Sequence, residues 1–340
     1  MEARRVNPWV ATVLAALAIL AALALGAALG ETAIPLSTVA KTAANQIFGA
    51  GYPVDAIDAG IVWNYRLARA AVAACCGVAL ALSGVVLQAL LRNALADPYI
   101  LGISAGASTG AVAVAILGLG AGLVSLSMGA FAGALLAFGV VALLARAAGS
   151  GAGAIILAGI AGSQLFNAIT SFIVARSANA EQARGIMFWL LGNLSGARWP
   201  DVTLALPVVV LGAVVCLWQT RALDAFTFGA DSAASLGVPV RLTQGLLIGV
   251  GALMTAVMVS LVGSIGFVGL VIPHAARFLV GARHGRLVPA SAVLGAVFLV
   301  ACDIASRIII PGQVVPIGVV TALIGAPAFA FILVRARRFA

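Results

Sequence analysis

Charge is what this sequence has least of. Asp, Glu, Lys and Arg make up 9% of its 340 residues, against 63% hydrophobic and a mean hydropathy of +1.18. Soluble domains carry about 25% charged residues, so an ordinary soluble fold is excluded. The single lysine, Lys41, sits in "VAKTAANQ", with no G-x-x-x-x-G-K-[ST] loop around it. Without that phosphate cradle, any ATP-driven activity must draw on another subunit. Aromatics, at 6%, are too few for the girdles of an outer-membrane barrel, and the apolar runs are too long for barrel strands. Cys75, Cys76, Cys216 and Cys302 lie inside apolar runs, with no CxxC spacing and no neighbouring histidine. They read as small packing residues, not as metal ligands or disulfide partners.

What is present is a series of apolar runs of spanning length, rich in small residues. They fall near 9–30, 67–91, 95–118, 121–145, 152–175, 201–219, 243–263, 266–282, 287–306 and 315–334. The expectation is an all-α polytopic membrane protein with ten transmembrane helices. The 39 glycines suit helices that approach closely through small side chains. "MEARR" followed by an apolar run could begin a signal peptide, but the run reaches Leu29 and is read as a retained first helix. Longer polar connections lie at about 31–65, 176–200 and 220–241.

The net charge of +9 sits at the ends of these runs, where it sets orientation and does not mark a nucleic-acid binder. With the N-terminus cytoplasmic, 11 basic residues fall inside, and Lys41, Arg66, Arg69, Arg176, Arg184, Arg198 and Arg307 fall outside. That bias favours both termini in the cytoplasm. The outer arginines then need a reason. Arg66 and Arg69 lie three apart at the start of the second span. They suit either interfacial snorkelling or bidentate recognition of carboxylates on a partner. Arg307 follows Asp303 by four residues, the spacing of an intrahelical ion pair.

A shift of 175 residues aligns Arg66 with Arg241, Pro98 with Pro273, Gly106 with Gly281 and Gly110 with Gly285 without a gap. Halves of about 1–175 and 176–340 would each hold five spans, an odd number, and so would be inverted repeats within one transmembrane domain. In the fifth span, Gln164, Asn167 and Ser171 form a polar stripe beside Thr170, with Arg176 at its outer end. The stripe is either interhelical hydrogen bonding or a wetted translocation pathway. In "TRALDAFTFGADSAASLGVPVR" (220–241), Asp231 reads as the N-cap of a short helix ending at Gly237, either a connector or a lever for a partner. "GISAG" (102–106) fits the G-x-S-x-G elbow of a serine hydrolase. Ser104 however lacks a strand–turn–helix setting, and only His274 and His284 could serve as imidazole bases.

Several long stretches together carry a family resemblance. They are "RLARA…GVALALSGVVLQALLRNALADPYILGISAGAS" (66–108), "FWLLGNLSGARW" (188–199), "GADSAASLGV" (229–238), "GSIGFVGLVIPHAARFLVGARHGRLVPASA" (263–292) and "CDIASRIIIPGQVVPIGVVTALIGAPAFAFIL" (302–333). Over nearly its whole length the chain resembles the permease subunits of binding-protein-dependent ABC importers for iron chelates and vitamin B12. The resemblance implies the cobalamin-permease-like fold, with two inverted five-helix repeats, in a homodimer with the pathway on its axis. It also implies two ATPase subunits that bind ATP and Mg, a periplasmic or surface substrate-binding protein, and residence in a bacterial inner membrane.

Residue by residue, Arg66, Arg69 and Arg307 match the positions that meet acidic residues of the binding protein. Gly229, Ala230, Asp231, Ser232, Ala233, Ala234, Ser235, Leu236 and Gly237 match the coupling helix that enters the ATPase. Asn93 and Leu95 match the inner gate, and Gly149 and Ser150 stand in the place of its second element. Asn93-Ala94 replaces the usual Asn-Pro and puts the stiffness of that loop in question. No catalysis and no resident cofactor are expected in this chain. Haem, ferric siderophores and cobalamin all travel through this fold, and Arg176 and Arg184 near the outer mouth lean toward haem propionates. An ion-coupled carrier would instead need buried acidic groups on the pathway, and only Asp303 lies near a span interior.

Overall fold

The computed structural model describes residues 8–336 except Glu31, Ala121, Ser150 and Ala178. It is almost entirely helical. α1 (Pro8–Ala28) leads through α2 (Leu36–Phe48) and α3 (Ala56–Gly60) into a π-helical segment, Ile61–Leu67, that continues as α4 (Ala68–Leu90). After a 3-10 turn at Pro98–Leu101 come α5 (Ile103–Leu117), α6 (Leu126–Ala147), α7 (Ala152–Ser177) and α8 (Ala180–Leu190). The second half contains α9 (Trp199–Trp218), α10 (Thr220–Phe226), α11 (Ala230–Ser235), α12 (Val240–Val262), α13 (Val268–Val280), α14 (His284–Ile308) and α15 (Ile317–Ala336).

The ten expected spans correspond to α1, α4, α5, α6, α7, α9, α12, α13, α14 and α15. Among the described residues, seven helical stretches are long and apolar enough to cross a membrane, and α5, α13 and α15 supply shorter apolar stretches. The shortness of α5 and α13 has a physical origin. Each follows an irregular segment, 91–102 or 263–267, that takes up residues of the apolar run. The start of α13 lies well short of the α4 terminus, since a Cβ on Gly84 would collide with the Gly269 carbonyl. Pro98 packs on the same glycine. Irregular backbone at such depth is tolerated only where its polar groups find partners. Here the Tyr99 hydroxyl accepts from the Ile265 N–H (2.8 Å) and donates to the Ile265 carbonyl (3.0 Å). The Asn193, Ile317 and Gly318 amides donate to Val262, Gly192 and Leu191 carbonyls at 2.8, 3.0 and 3.0 Å.

α4 is the central element. It is buried along most of its length and packs on α14, α12, α13 and α9. Small residues permit the approach: a Cβ on Gly77 would strike the Gly295 carbonyl of α14, and one on Gly110 that of Gly129 in α6. The gapless 175-residue shift pairs α4 with α12 but fails beyond them. Pro98 precedes α5, whereas Pro273 lies inside α13, because the connection at 91–102 is much longer than that at 263–267. The 220–241 connection also differs from expectation, holding two short helices, α10 and α11, in place of one.

Candidate functional site

The candidate residues divide between the two ends of α14 and one face of α7. At the first end, Asp303 is fully buried. Its Oδ1 accepts from Arg69 Nε at 2.6 Å, and its Oδ2 lies 3.1 Å from Arg307 Nη2 without hydrogen-bond geometry. Arg69 and Arg307 are 9% and 6% exposed, so both guanidinium groups are held inside the protein. Arg69 also donates to the Ser195 and Ser306 hydroxyls (3.2 and 3.4 Å). Arg307 reaches the carbonyls of Leu29 (2.8 Å) and Gly26 (2.9 Å), and Arg66 those of Ala28 (3.0 Å) and Thr32 (2.6 Å). Two cations thus satisfy the free carbonyls at the end of α1, where the helix dipole also favours positive charge. The expected Asp303–Arg307 pair is present, and Arg69, distant in sequence, completes it.

These groups line a cavity of about 260 Å³ with Tyr65, Thr32 and a fourth arginine, Arg198. Arg198 lies 4.4 Å from the Tyr65 ring centroid, a cation–π contact. Trp63 and Trp199 stack beside it at 4.6 Å, with Trp199 Nε1 donating to the Trp63 carbonyl. In the sequence Arg198 stands out only as one of the charges on this side. Its signal was present in "GARW", immediately before a helix, but a lone arginine there has too many uses to single out.

The second end holds the 220–241 segment. Gly229, at φ 108° and ψ 166°, caps α11 in a backbone conformation only glycine adopts readily. Asp231 therefore does not cap the helix as expected. It lies inside the first turn, where the dipole favours its charge. The end is as expected: Gly237 is left-handed at φ 82°, and its amide donates to the Ala234 carbonyl. Ala233 is buried, whereas Leu236 and the preceding Phe228 are 71% and 75% exposed. Ala230, Ser232, Ala234 and Ser235 complete the turn between them, Ser232 and Ser235 bonding back to the Phe228 and Ser232 carbonyls.

Asn93 and Leu95 lie at this same end. Asn93 Oδ1 accepts from the Leu95 N–H at 2.9 Å, an Asx-type turn that shapes the loop where a proline is missing. Leu95 is 48% exposed, and Arg92 before it has φ 47° with its guanidinium beside Gly229. Gly149, with a positive φ of 105°, links α6 to α7 at this end. Ser150 lies outside the described residues.

On α7, Gln164, Asn167, Ser171 and Arg176 are all exposed. Interhelical hydrogen bonding falls to Thr170 instead, whose hydroxyl meets that of Thr109 on α5 at 2.8 Å. Gln164 and Asn167 line a second cavity of about 360 Å³ with Ser163, Tyr99 and Asp97. Ser104 is not set up as a nucleophile. It stands in the first turn of α5, and its hydroxyl donates to Ser264 at 2.9 Å. His274 bonds to the Leu270 carbonyl and His284 to Asp224, so neither imidazole serves it.

A multi-pass helical bundle knit through small residues, with an arginine-lined cavity at one end and two short helices, α10 embedded and α11 more exposed, at the other, has the form of a membrane permease. Residues 15–335 match the model of the FecCD transport family, and the chain belongs to that family. It is 41% identical over 325 residues to the cobalamin import system permease BtuC of Halobacterium salinarum, covering 90% of this chain and 87% of that one. It is 36% identical over 277 residues to the Fe(3+) dicitrate transport system permease FecD of Escherichia coli, covering 82% and 86%. A solved metal-chelate type ABC transporter in an inward-facing conformation superposes with a TM-score of 0.83 at 28% identity, over 97% of this chain and all of that one. The protein is accordingly a type II ABC importer permease.

Proposed function

We propose that two copies of this chain enclose a pathway for a bulky metal chelate, with two ATPase subunits bound at the α11 end and a substrate-binding protein at the arginine end. The observation that carries the reading is the α7 face. Polar side chains exposed on a spanning helix are costly in lipid, and among the described residues Gln164, Asn167 and Ser171 have no side-chain hydrogen bond that accounts for them. A wetted path along α7 does. Gln164, Asn167 and Ser171 line it, and Arg176 stands at its mouth. The α11 end and both termini face the cytoplasm of the bacterial inner membrane, in keeping with the basic bias.

In this arrangement residues 229–237 dock into the ATPase, which supplies the ATP and Mg site, with Phe228 and Leu236 as apolar anchors. ATP binding draws the two ATPases together and moves α11. Asn93 and Leu95, with Gly149 and Ser150 as the second gate element, close or open the exit. At the outer end, Arg66, Arg69 and Arg307, with Arg198, form a positive surface for acidic groups of the binding protein. Arg66 and Arg198 make the direct contacts, while Arg69 and Arg307 contribute field from behind Asp303.

The cargo favoured by charge is haem, whose propionates suit Arg176 and Arg184, both exposed. The names of the relatives favour a second reading, cobalamin, and FecD points to a siderophore-like ferric chelate. The test is uptake into proteoliposomes holding the complex, with its binding protein loaded in turn with haem, cobalamin and a ferric siderophore. Haem uptake that is lost in Arg176→Glu is the expected result. Uptake of cobalamin alone refutes the haem reading, and uptake without any ATPase subunit refutes the importer assembly.

A further inference from the structure

The start of α14 is capped from a distance. Its N-cap residue, Arg283, makes no side-chain capping bond. The first amide, that of His284, donates instead to Asp224 Oδ1 at 2.8 Å, across 60 positions of sequence. The same oxygen lies 2.7 Å from His284 Nδ1, which must carry the proton to donate to a carboxylate. The imidazole is 2% exposed, and its Nε2 has no hydrogen-bond partner among the described residues. Burying a bare ring nitrogen is unfavourable, so packing alone gives a poor reason for histidine here. The residue is explained by its Nδ1 bond to Asp224.

Asp224 belongs to α10, the element on which α11 rests. α11 packs chiefly on α10 and α12, whereas α10 buries Ala222, Leu223, Ala225 and Phe226 and packs on α14 and α4. Displacement of α11 therefore reaches the body of the protein partly through α10. From His284, α14 runs about 29–35 Å at 1.5 Å per residue to Asp303 and Arg307, the cluster beside the arginine cavity. Along the way its Gly295 backbone lies directly on Gly77 of α4, so the two helices are closely packed there.

We propose that Asp224 and His284 form the joint between the ATPase-docking segment and α14, acting as positioning residues through which events at the binding-protein end and at the ATPase end are coupled. The proposal rests on the importer assembly described above. It does not depend on which chelate is carried.

The experiment uses the full complex in nanodiscs with Mg-ATP, measuring hydrolysis with and without saturating binding protein, and the Kd for that protein. In Asp224→Ala and His284→Leu, the ratio of stimulated to unstimulated hydrolysis falls about tenfold or to unity, as expected for loss of a charge-assisted hydrogen bond, while the docking Kd stays within about twofold. His284→Asn, whose amide can replace the Nδ1 donor, retains stimulation. Asp224→Asn keeps an acceptor oxygen and the assembled complex, and gives an intermediate loss even where the harsher variants fail to assemble. An unchanged ratio in assembled Asp224→Asn and His284→Leu complexes overturns the proposal, as does a His284→Asn complex as impaired as His284→Leu. A wild-type complex that the binding protein fails to stimulate instead refutes the assembly, and the joint with it.

Discussion

Removing the Asp303 carboxylate tests whether the arginine cluster is a structural unit. The side chain is fully buried between Arg69 and Arg307, at 2.6 and 3.1 Å. Each contact carries about 6 kcal/mol of gross attraction at an effective dielectric constant of about 20, most of it offset by desolvation. In Asp303→Ala the desolvation cost of both guanidinium groups remains and the attraction is gone. Breaking one buried pair costs about 3–5 kcal/mol, and here two cations are stranded within reach of each other. The expected loss is therefore at the upper end of that range. It would be measured by reversible unfolding of the purified permease in mixed micelles titrated with a denaturing detergent. The double variant Arg69→Met with Asp303→Ala removes one stranded cation and recovers about 2 kcal/mol relative to additivity. A single-variant loss below about 1 kcal/mol, or strict additivity in the double variant, would refute the cluster as a coupled unit.

Three further outcomes follow from the same geometry. Gly77→Val forces a side chain into the Gly295 carbonyl and should prevent the α4–α14 contact from forming, reducing the yield of folded permease on gel filtration; Gly60→Ala, with open space around it, should not. Reversal of Arg66 and Arg198 to Glu should weaken binding-protein docking about tenfold at low salt and less at high salt, whereas an unchanged affinity would exclude those two residues from the contact. Ser104→Ala loses only its bond to Ser264 and should leave transport within about twofold, so abolished transport with normal assembly would reopen a catalytic role for that serine.

The ten helices were legible because an apolar run in lipid has one dominant solution, a helix that satisfies its own backbone. The same logic hid the irregular segments. Residues 263–267 and 98–102 are as apolar as their neighbours, and hydropathy cannot distinguish a helix from extended chain whose polar groups bond to a remote loop. Local pairs were also readable: Asp303 with Arg307 at four residues, and Gly237 ending α11. Asp231 was misplaced because the capping position depends on a backbone angle at Gly229 that composition does not reveal.

The largest gap concerns polar residues whose partners are remote. Arg69 finds Asp303 across 234 positions, Asp224 finds His284 across 60, and Gln88 accepts from Arg277 across 189. In a soluble protein such residues could remain solvated, and the sequence would say little about their pairing. In a chain with 9% charged residues, each one placed at membrane depth must have a partner or a wetted surface. That constraint can order the search even without a structure. Asp303 satisfied it locally with Arg307, which concealed the larger cluster. Gln164, Asn167 and Ser171 have no side-chain hydrogen-bond partner among the described residues, which is why the proposed pathway follows them.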